Sequence, residues 1–332
     1  AYTSSKDEAF TVDWGDGEEK IYNIDPNGWG YSRRINTEIK GGTITIKGKL
    51  VNLDLTKAGI TSIELHGQTA MKVINLKENE IATFKQDGMP ALTELNLRDN
   101  KLTKFTGTGM TSLKTLNLQG NQLDSHELDI TDASATLTEL NVSDNGDKFI
   151  NLNLMSFTAL EDFYCDDNPE FTTAVFADNS ENIEHISMNN CHVMHFYSRS
   201  FPNLTSLNLS NNALFELEEG NYPKLSTLSI DHNYLTTLDV TRFPKLWNLY
   251  CGNNNITLLN VGSNPGLLSL NCDSLDITKL DLSNNKDLAY LSVNGTKLTQ
   301  LDIRGKKSIT TLNISNTAIR YIDLEDQYSL RD

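Results

Sequence analysis

The sequence predicts a mostly β solenoid of about thirteen stacked coils, preceded by a small N-terminal β cap. The main observation is the pattern Leu-x-x-Leu-x-Leu-x-x-Asn-x-Leu, which residues 204–214 (LTSLNLSNNAL) follow without departure. The second is its period, because the first apolar residue of each unit recurs at steps of 21, 23 or 24 residues. A long fixed period indicates units that bury their apolar side chains by stacking. Counting that residue as position one, the thirteen units begin at Leu50, Met71, Leu92, Leu113, Leu137, Leu160, Ile183, Leu204, Leu225, Leu246, Leu267, Leu288 and Ile309.

Residues 1–49 do not repeat, and we predict that they form a cap before a solenoid of residues 50–332. Residues 10–17 (FTVDWGDG) predict a strand that enters a Gly-Asp-Gly turn, and residues 42–48 (GTITIKG) predict a strand that leads into the first unit. Such a cap would cover the apolar side chains and unpaired strand edge of the first coil. Asp13 and Asp16 could be metal ligands, but a role in the turn is favoured because Asp and Gly are typical turn residues.

Each unit is predicted to begin with a short parallel strand. Side chains alternate along a strand, so the apolar residues at positions four and six point inward and their neighbours point outward. Asn at position nine turns the chain and can bond backbone groups inside the coil, so stacked copies predict a ladder. Its members are Asn79, Asn100, Asn121, Asn145, Asn168, Asn212, Asn233 and Asn254. The ladder is interrupted at Ala58, Cys191, Leu275, Thr296 and Thr317.

The second half of each unit is predicted to be extended. Residues 235–240 (LTTLDV) and 298–303 (LTQLDI) alternate apolar and polar side chains, which favours short β segments on the convex side. A unit of 21 residues also leaves little room for a helix. The insertions that lengthen three of the steps fall at residues 125–135, 146–155 and 170–180.

The repeat pattern resembles the leucine-rich repeat family. That resemblance covers residues 50 to the C-terminus and implies a curved solenoid of the right-handed β-α-superhelix type, with its short parallel strands on the concave face. Together with the V-D-W-G-D-G strand, the pattern resembles secreted leucine-rich repeat proteins of Bacteroidetes-type bacteria. This second resemblance implies an extracellular or cell-surface protein, often a lipoprotein, that takes part in adhesion or host contact. It also implies that a signal peptide or lipid anchor was removed upstream of Ala1.

The composition excludes several classes of partner. The formal net charge of −16 disfavours nucleic acid and anionic membranes, because both require a basic surface. No apolar run approaches the roughly 20 residues that span a bilayer, so we expect no membrane insertion. We therefore predict a monomer that binds a protein or a glycan.

The sequence does not predict an enzyme, a cofactor or a metal site. None of the common nucleophile, zinc or phosphate-binding motifs is present. Cys165, Cys251 and Cys272 fall at the inward position six and Cys191 falls in the ladder, which favours small buried side chains. A disulfide between the stacked residues Cys251 and Cys272 remains conceivable from their spacing alone. His192 and His195 flank Cys191, but a thiol at an inward position would be desolvated and unreactive.

Aromatic residues depart from the Asn, Ser and Thr that otherwise fill the outward positions. Trp247 stands at position two, Tyr250 at position five and Tyr290 at position three, with His232 in the preceding unit. Exposed aromatic side chains are enriched in binding sites, and they stack on sugar rings. The alternative is that they are scattered surface aromatics without a function.

Acidic residues form a second departure, around Tyr164. They are Glu139, Asp144, Glu161, Asp162, Asp166, Asp167 and Glu184. Like charges stacked across strands repel one another, which suggests a basic protein partner, a cation such as calcium, or a solvated acidic face. Two functions remain open for the chain. One is a binding module that uses the aromatic or acidic residues of the concave face, and the other is a structural spacer that displays another component.

Overall fold

The computed structural model describes residues 2–3, 9–23, 43–48, 50–197, 200–325 and 327–331. The chain divides into two compact units, Ala1–Glu170 and Phe171–Asp332, which are considered separately below. The described residues form short strands and three short 3-10 helices, without an α-helix. The predicted boundary between the cap and the solenoid at residue 50 rests on where the repeats begin. The division into compact units does not test that boundary, so it stays a prediction.

The described residues of the first unit form fifteen strands and two 3-10 helices. The strands are β1 (Tyr2–Thr3), β2 (Ala9–Asp13), β3 (Glu19–Asn23), β4 (Thr43–Lys47), β5 (Leu50–Asp54), β6 (Ser62–His66), β7 (Val73–Asn75), β8 (Thr83–Gln86), β9 (Glu94–Asn96), β10 (Phe105–Thr106), β11 (Thr115–Asn117), β12 (Leu128–Asp129), β13 (Glu139–Asn141), β14 (Asn151–Asn153) and β15 (Asp162–Tyr164). The 3-10 helices are Ser125–Glu127 and Thr131–Ala133, both within the insertion predicted at 125–135.

Where the structure describes it, the second unit has eight strands and one 3-10 helix. The strands are β16 (Thr173–Val175), β17 (His185–Ser187), β18 (Ser206–Asn208), β19 (Thr227–Ser229), β20 (Asn248–Tyr250), β21 (Ser269–Asn271), β22 (Tyr290–Ser292) and β23 (Thr311–Asn313). The 3-10 helix is Val240–Arg242.

Both units are built on a main sheet that takes one strand from each coil. In the first unit β5, β7, β9, β11, β13 and β15 lie side by side, and in the second unit β17 to β23 do. Neighbouring strands are parallel, and equal positions pair, as Leu95, Leu116 and Leu140 do. These leucines are buried, so the predicted inward positions form the core.

The N-terminal strands close the first coil on two sides. β1 pairs antiparallel with β5 at the edge of the main sheet. The hairpin of β2 and β3 joins β4, and β4 pairs in parallel with β6 of the first coil, giving the strand order β3-β2-β4-β6-β8. At the hairpin turn, Asp13 Oδ1 accepts hydrogen bonds from the backbone N–H groups of Gly15, Asp16 and Gly17 at 2.9, 3.1 and 3.0 Å. This contact supports the turn role of Asp13.

The asparagine ladder is present as predicted. Asn100 Nδ2 donates to the carbonyl oxygens of Leu76 in the preceding coil and Leu97 in its own coil, at 3.0 and 2.9 Å, and its Oδ1 accepts from the N–H of Ile81 at 2.9 Å. All eight predicted Asn are buried. At the interruptions, Thr296 Oγ1 bonds the carbonyl of Val293 at 2.8 Å, whereas Leu275 is buried without a polar group.

Position eight adopts the left-handed backbone conformation in all thirteen coils, with φ between 53° and 69°. Residues with a Cβ usually avoid this region, and Gly, Asn and Asp tolerate it best. The turn after each strand therefore selects the residue type at position eight. The thirteen residues are Lys57, Glu78, Asp99, Gly120, Asp144, Asp167, Asn190, Asn211, His232, Asn253, Ser274, Gly295 and Asn316.

The second half of the coil differs between the two units. In the first unit β6 and β8 pair in parallel there, and so do β10 and β12, as the alternating pattern predicts. In the second unit the described segments 277–282 and 298–303 have no strand pairing, and residues 240–242 form a 3-10 helix. In the second unit, aromatic rings fill part of the core between the coils. Tyr222 packs on Phe201 and Phe243, with ring centroids 6.1 and 5.8 Å apart.

Candidate binding surface

The outward side chains at positions two, three, five, seven and eight form what we call the strand face of each unit. Because the parallel strands pair in register, equal positions of successive coils lie about 4.8 Å apart. Three of the predicted aromatic residues belong to the strand face of the second unit. Tyr250 pairs with Asn271, and Ser269 pairs with both Asn248 and Tyr290.

Trp247 is the most exposed member of this group, with 55% of its surface accessible. Its indole lies over Gly266, where an added Cβ would be 3.5 Å from Cδ1 and 3.6 Å from Nε1 of the ring. Its backbone is held on both sides, since its N–H donates to the carbonyl of Ser226 and its carbonyl accepts from Leu268, both at 2.8 Å. The ring is therefore presented from an ordered backbone.

Leu268 occupies position two of the next coil, beside Trp247, and is 42% exposed. Sequence reasoning missed this residue because it looked for aromatic departures only. The signal was available, since Leu268 is an apolar residue at a position filled in neighbouring coils by Ser226, Ala289 and Thr310.

Tyr250 and Tyr290 are half-buried on the same face. Tyr250 Oη lies 3.4 Å from Ser269 Oγ, and Ser269 is the strand partner of Tyr290. Ser269 thus links the two tyrosines across three adjacent strands. We call Trp247, Tyr250, Leu268 and Tyr290 the apolar strip.

His232 lies in the turn that follows β19 instead of on a strand. It holds position eight with φ 53°, and its Nδ1 is 2.9 Å from Asp231 Oδ2. His232 also donates its N–H to the carbonyl of Gly252 at 2.9 Å. The left-handed backbone conformation at this position is one explanation for the presence of His232. The predicted ligand contact is the other.

The surroundings of the apolar strip are polar but mostly uncharged, although the whole chain carries a net charge of −16. The carboxylates of Asp231 and Asp273 lie near the strip and accept hydrogen bonds within the protein. Asp231 Oδ1 accepts from Ser210 Oγ at 2.7 Å, and Asp273 Oδ1 accepts from Ser292 Oγ at 2.6 Å. The uncharged strand-face residues around the strip include Ser226, Thr227, Ser229, Asn248, Ser269, Asn271 and Ser292.

In the first unit the structure gathers part of the predicted acidic group. Glu139 and Asp162 are direct partners on β13 and β15, and Tyr164 pairs with Asn141 in the same ladder. Burial raises the pKa of Glu139, and the carboxylates of Asp162 and Glu94 raise it further. Burial also raises the pKa of the Tyr164 hydroxyl, and nearby carboxylates add to this shift.

The other acidic residues are placed differently. Asp144 and Asp167 hold position eight, with φ 54° and 58°, so the turn favours their residue type. Glu161 is exposed at position two, and Asp166 is half-buried at position seven, where its N–H donates to Ser143 Oγ at 3.0 Å. Glu184 is exposed and belongs to the second unit. Within the described residues, no group of three or more His, Cys, Asp or Glu side chains is placed to hold a metal ion.

Two of the cysteines lie where thiolate formation is disfavoured. Cys251 and Cys272 are buried and not disulfide-bonded, and each Sγ lies 3.6 Å from a carbonyl oxygen of the next coil. Burial raises the pKa of both thiols, which suppresses the thiolate. Cys191 is only half-buried, which corrects the expectation of a fully inward side chain. In the part of the chain that the structure describes, no helix has the length and apolar character needed to cross a bilayer.

Comparison with known proteins agrees with this fold. A family model described as "Leucine Rich repeats (2 copies)" matches residues 90–130. No curated protein sequence matches the chain.

Three solved structures illustrate the structural similarity. The functional domain of InlJ from Listeria monocytogenes, which includes a cysteine ladder, is 21% identical with a TM-score of 0.62, covering 85% of this chain and 67% of that one. An internalin (inlF) from Listeria monocytogenes is 21% identical with a TM-score of 0.63 and 85% coverage of both chains. The Toll–Spatzle complex of Drosophila is 19% identical with a TM-score of 0.54, covering 78% of this chain and 44% of that one. At these identities the similarity shows the fold alone, and the chain has the leucine-rich repeat fold.

Proposed function

We propose that this chain is a non-enzymatic binding module that recognises a protein partner through the apolar strip of its second unit. The observation that carries the proposal is the neighbouring pair Trp247 and Leu268, which are 55% and 42% exposed on an ordered sheet. Exposed large apolar side chains inside a polar surround are typical of the energetic centres of interfaces.

The geometry supports this use of the strip. Trp247 and the two tyrosines present large contact areas with few rotatable bonds, so ordering them on binding costs little entropy. Their strands pair in register and are tied by backbone hydrogen bonds, so the surface is preorganised. The uncharged Asn and Ser residues around the strip can serve as its hydrogen-bonding rim.

A glycan is the second candidate ligand, and the nearly uncharged surround of the strip favours it. Aromatic rings stack on the apolar faces of sugars, while Asn and Ser side chains can donate to and accept from hydroxyl groups. His232, with its Nδ1 2.9 Å from Asp231 Oδ2, lies at one end of this surround.

For the biological setting, we infer a monomeric extracellular or cell-surface protein with an adhesive role. The inference rests on the resemblance to secreted bacterial leucine-rich repeat proteins, together with the similarity of the fold to two internalin structures. A lipid anchor upstream of Ala1 is part of the same proposal. A structural spacer is the competing function, and it requires no ligand.

The acidic residues of the first unit around Tyr164 are proposed as an alternative site, which would bind a basic protein partner. The carboxylates of Glu139 and Asp162 lie side by side, and a partner cation would relieve their repulsion. A cation such as calcium is the less favoured way to relieve this repulsion. Asp144 and Asp167 hold turn positions, and the described residues contain no group of three or more His, Cys, Asp or Glu side chains placed to hold a metal ion.

The test is a binding screen of the purified chain against glycans and extracellular proteins. Each hit is measured again with the double variant Trp247→Ala, Leu268→Ala, and with the control Leu258→Ala, a residue exposed outside the strip. We expect the double variant to lose binding by about 100-fold or more at unchanged thermal stability, and the control to bind normally. Equal binding by both variants would refute the strip as the site. A folded protein with no hit would favour the spacer.

A further inference from the structure

A second exposed aromatic cluster lies on another side of the coils in the second unit, in the segments that follow the ladder asparagine. Phe215 at position twelve and Tyr234 at position ten of the next coil stack on each other. Their ring centroids are 5.6 Å apart and their planes differ by 24°. The two side chains are 59% and 52% exposed, so neither ring is part of the core.

The cluster continues into the preceding coil. The ring of His195 stacks on exposed Tyr197 at 5.3 Å with an interplanar angle of 18°. His195 Nδ1 lies 3.5 Å from Glu218 Oε1 in the coil of Phe215. Glu218 follows Phe215 by three residues in the same coil. We call the surface formed by His195, Tyr197, Phe215 and Tyr234 the flank patch.

The flank patch has an aromatic residue, Tyr234, at a position where other coils carry charged residues. At position ten, Lys101 forms an ion pair with Glu80 at 3.0 Å, and Lys297 forms one with Asp276 at 2.7 Å. The same backbone therefore accepts charged side chains at position ten. Coil stacking does not require the exposed ring of Tyr234, which leaves room for a role in recognition.

The charges beside the flank patch are mainly acidic. Glu216 and Glu219 are exposed next to Phe215, and Glu218 is half-buried. Among the described residues here, Arg242 donates from its guanidinium to the carbonyl oxygens of Glu218 and Leu217 at 3.0 and 3.2 Å. These two hydrogen bonds go to backbone oxygens and not to the glutamate carboxylates.

We propose that the flank patch binds an arginine-bearing, basic segment of a partner polypeptide. A guanidinium is planar, so it can stack on an aromatic ring while its N–H groups bond a neighbouring carboxylate. The patch offers ring faces and carboxylates side by side. A second copy of this chain is a poor occupant, because its net charge is also −16.

The experiment measures binding of the full chain to the peptide Gly-Arg-Gly-Arg-Gly-Arg-Gly by calorimetry at low and physiological salt. The comparison peptide replaces each arginine with citrulline, which has a similar shape but no charge. We expect the citrulline peptide, and the double variant Phe215→Ala, Tyr234→Thr, each to lower the affinity by about tenfold or more. Glu216→Gln with Glu219→Gln should lower the affinity and reduce its salt dependence.

The variant Tyr321→Ala is the matched control, since Tyr321 is an exposed aromatic that belongs to neither surface. The variant Trp247→Ala tests the apolar strip as the alternative site. Normal binding by the Tyr321 variant, with loss in the Phe215 and Tyr234 variant, would support the flank patch. Loss in the Trp247 variant alone would move the peptide to the strand face and overturn this proposal. Equal affinity for both peptides, or no binding by the wild-type chain, would also overturn it. The screen against glycans and extracellular proteins tests the apolar strip independently of this experiment.

Discussion

Glu139 and Asp162 face each other as direct partners on the adjacent parallel strands β13 and β15, with the pKa of Glu139 raised. Charged side chains of one sign at this spacing destabilise a sheet by a few tenths to about 1 kcal/mol. This pair of carboxylates therefore destabilises the main sheet of the first unit.

Replacing Glu139 with Gln is expected to stabilise the chain at pH 7 by up to about 1 kcal/mol, since the change removes this repulsion. A raised folded-state pKa means that Glu139 favours folding below its ordinary pKa, and that this contribution is lost as pH rises through the folded-state value. The gain from Glu139→Gln should therefore vanish at acidic pH. Urea unfolding at pH 7 and below pH 4 measures it, and an equal gain at both values would contradict the assignment.

Replacing Asn121 with Leu should destabilise the chain by about 2–4 kcal/mol. The amide of Asn121 donates to the carbonyl oxygens of Leu97 and Leu118 and accepts from the N–H of Leu102, so its loss leaves buried backbone groups unbonded. Thermal unfolding measures the loss, and Asn117→Ser is the control because Ser already occupies position five in other coils. An unchanged midpoint would show that the ladder contributes little.

Replacing Gly252 with Ala should destabilise the second unit by about 1–3 kcal/mol. A Cβ at this residue would lie 2.9 Å from both Asn271 Oδ1 and the carbonyl oxygen of Asp273, and the backbone atom cannot move freely. Gly266→Ala is the matched control, because its Cβ would meet Trp247 at 3.5 Å, an ordinary contact distance. Denaturant unfolding of both variants checks the prediction, and equal stability would refute it.

Replacing Lys306 with Met should stabilise the chain at pH 7. Lys306 is only 3% exposed, and burial lowers its pKa. The unfolded chain then binds the proton more tightly, so stability rises with pH from the lowered value up to the ordinary pKa of Lys. The advantage of Lys306→Met should shrink as pH rises through this range. The exposed residue Lys307 provides the control Lys307→Met, and an equal gain from both variants would point to the added apolar side chain instead of relief from burying a charge.

The repeat period, the inward leucines, the ladder and the N-terminal strands could be read from the sequence. These features depend on local alternation and on an amide that bonds the backbone two or three residues away, as Asn100 bonds Leu97. The composition of position eight, which is rich in Asn, Asp and Gly, also indicates a turn, although the candidate ligand-binding residues His232, Asp144 and Asp167 stand there. The observed φ values show that the turn conformation accounts for much of this composition.

The sequence by itself determined the coil and the residues that fill its core, because burying a leucine in every coil leaves a single register. Only the tertiary structure decided which outward side chains meet. Phe215 and Tyr234 stack from positions twelve and ten of different coils, and Leu268 completes the strip beside Trp247. Periodicity places residues on a face, but contact across coils also depends on rotamers and on the path of each turn. A repeat pattern therefore specifies its core more fully than its binding surfaces.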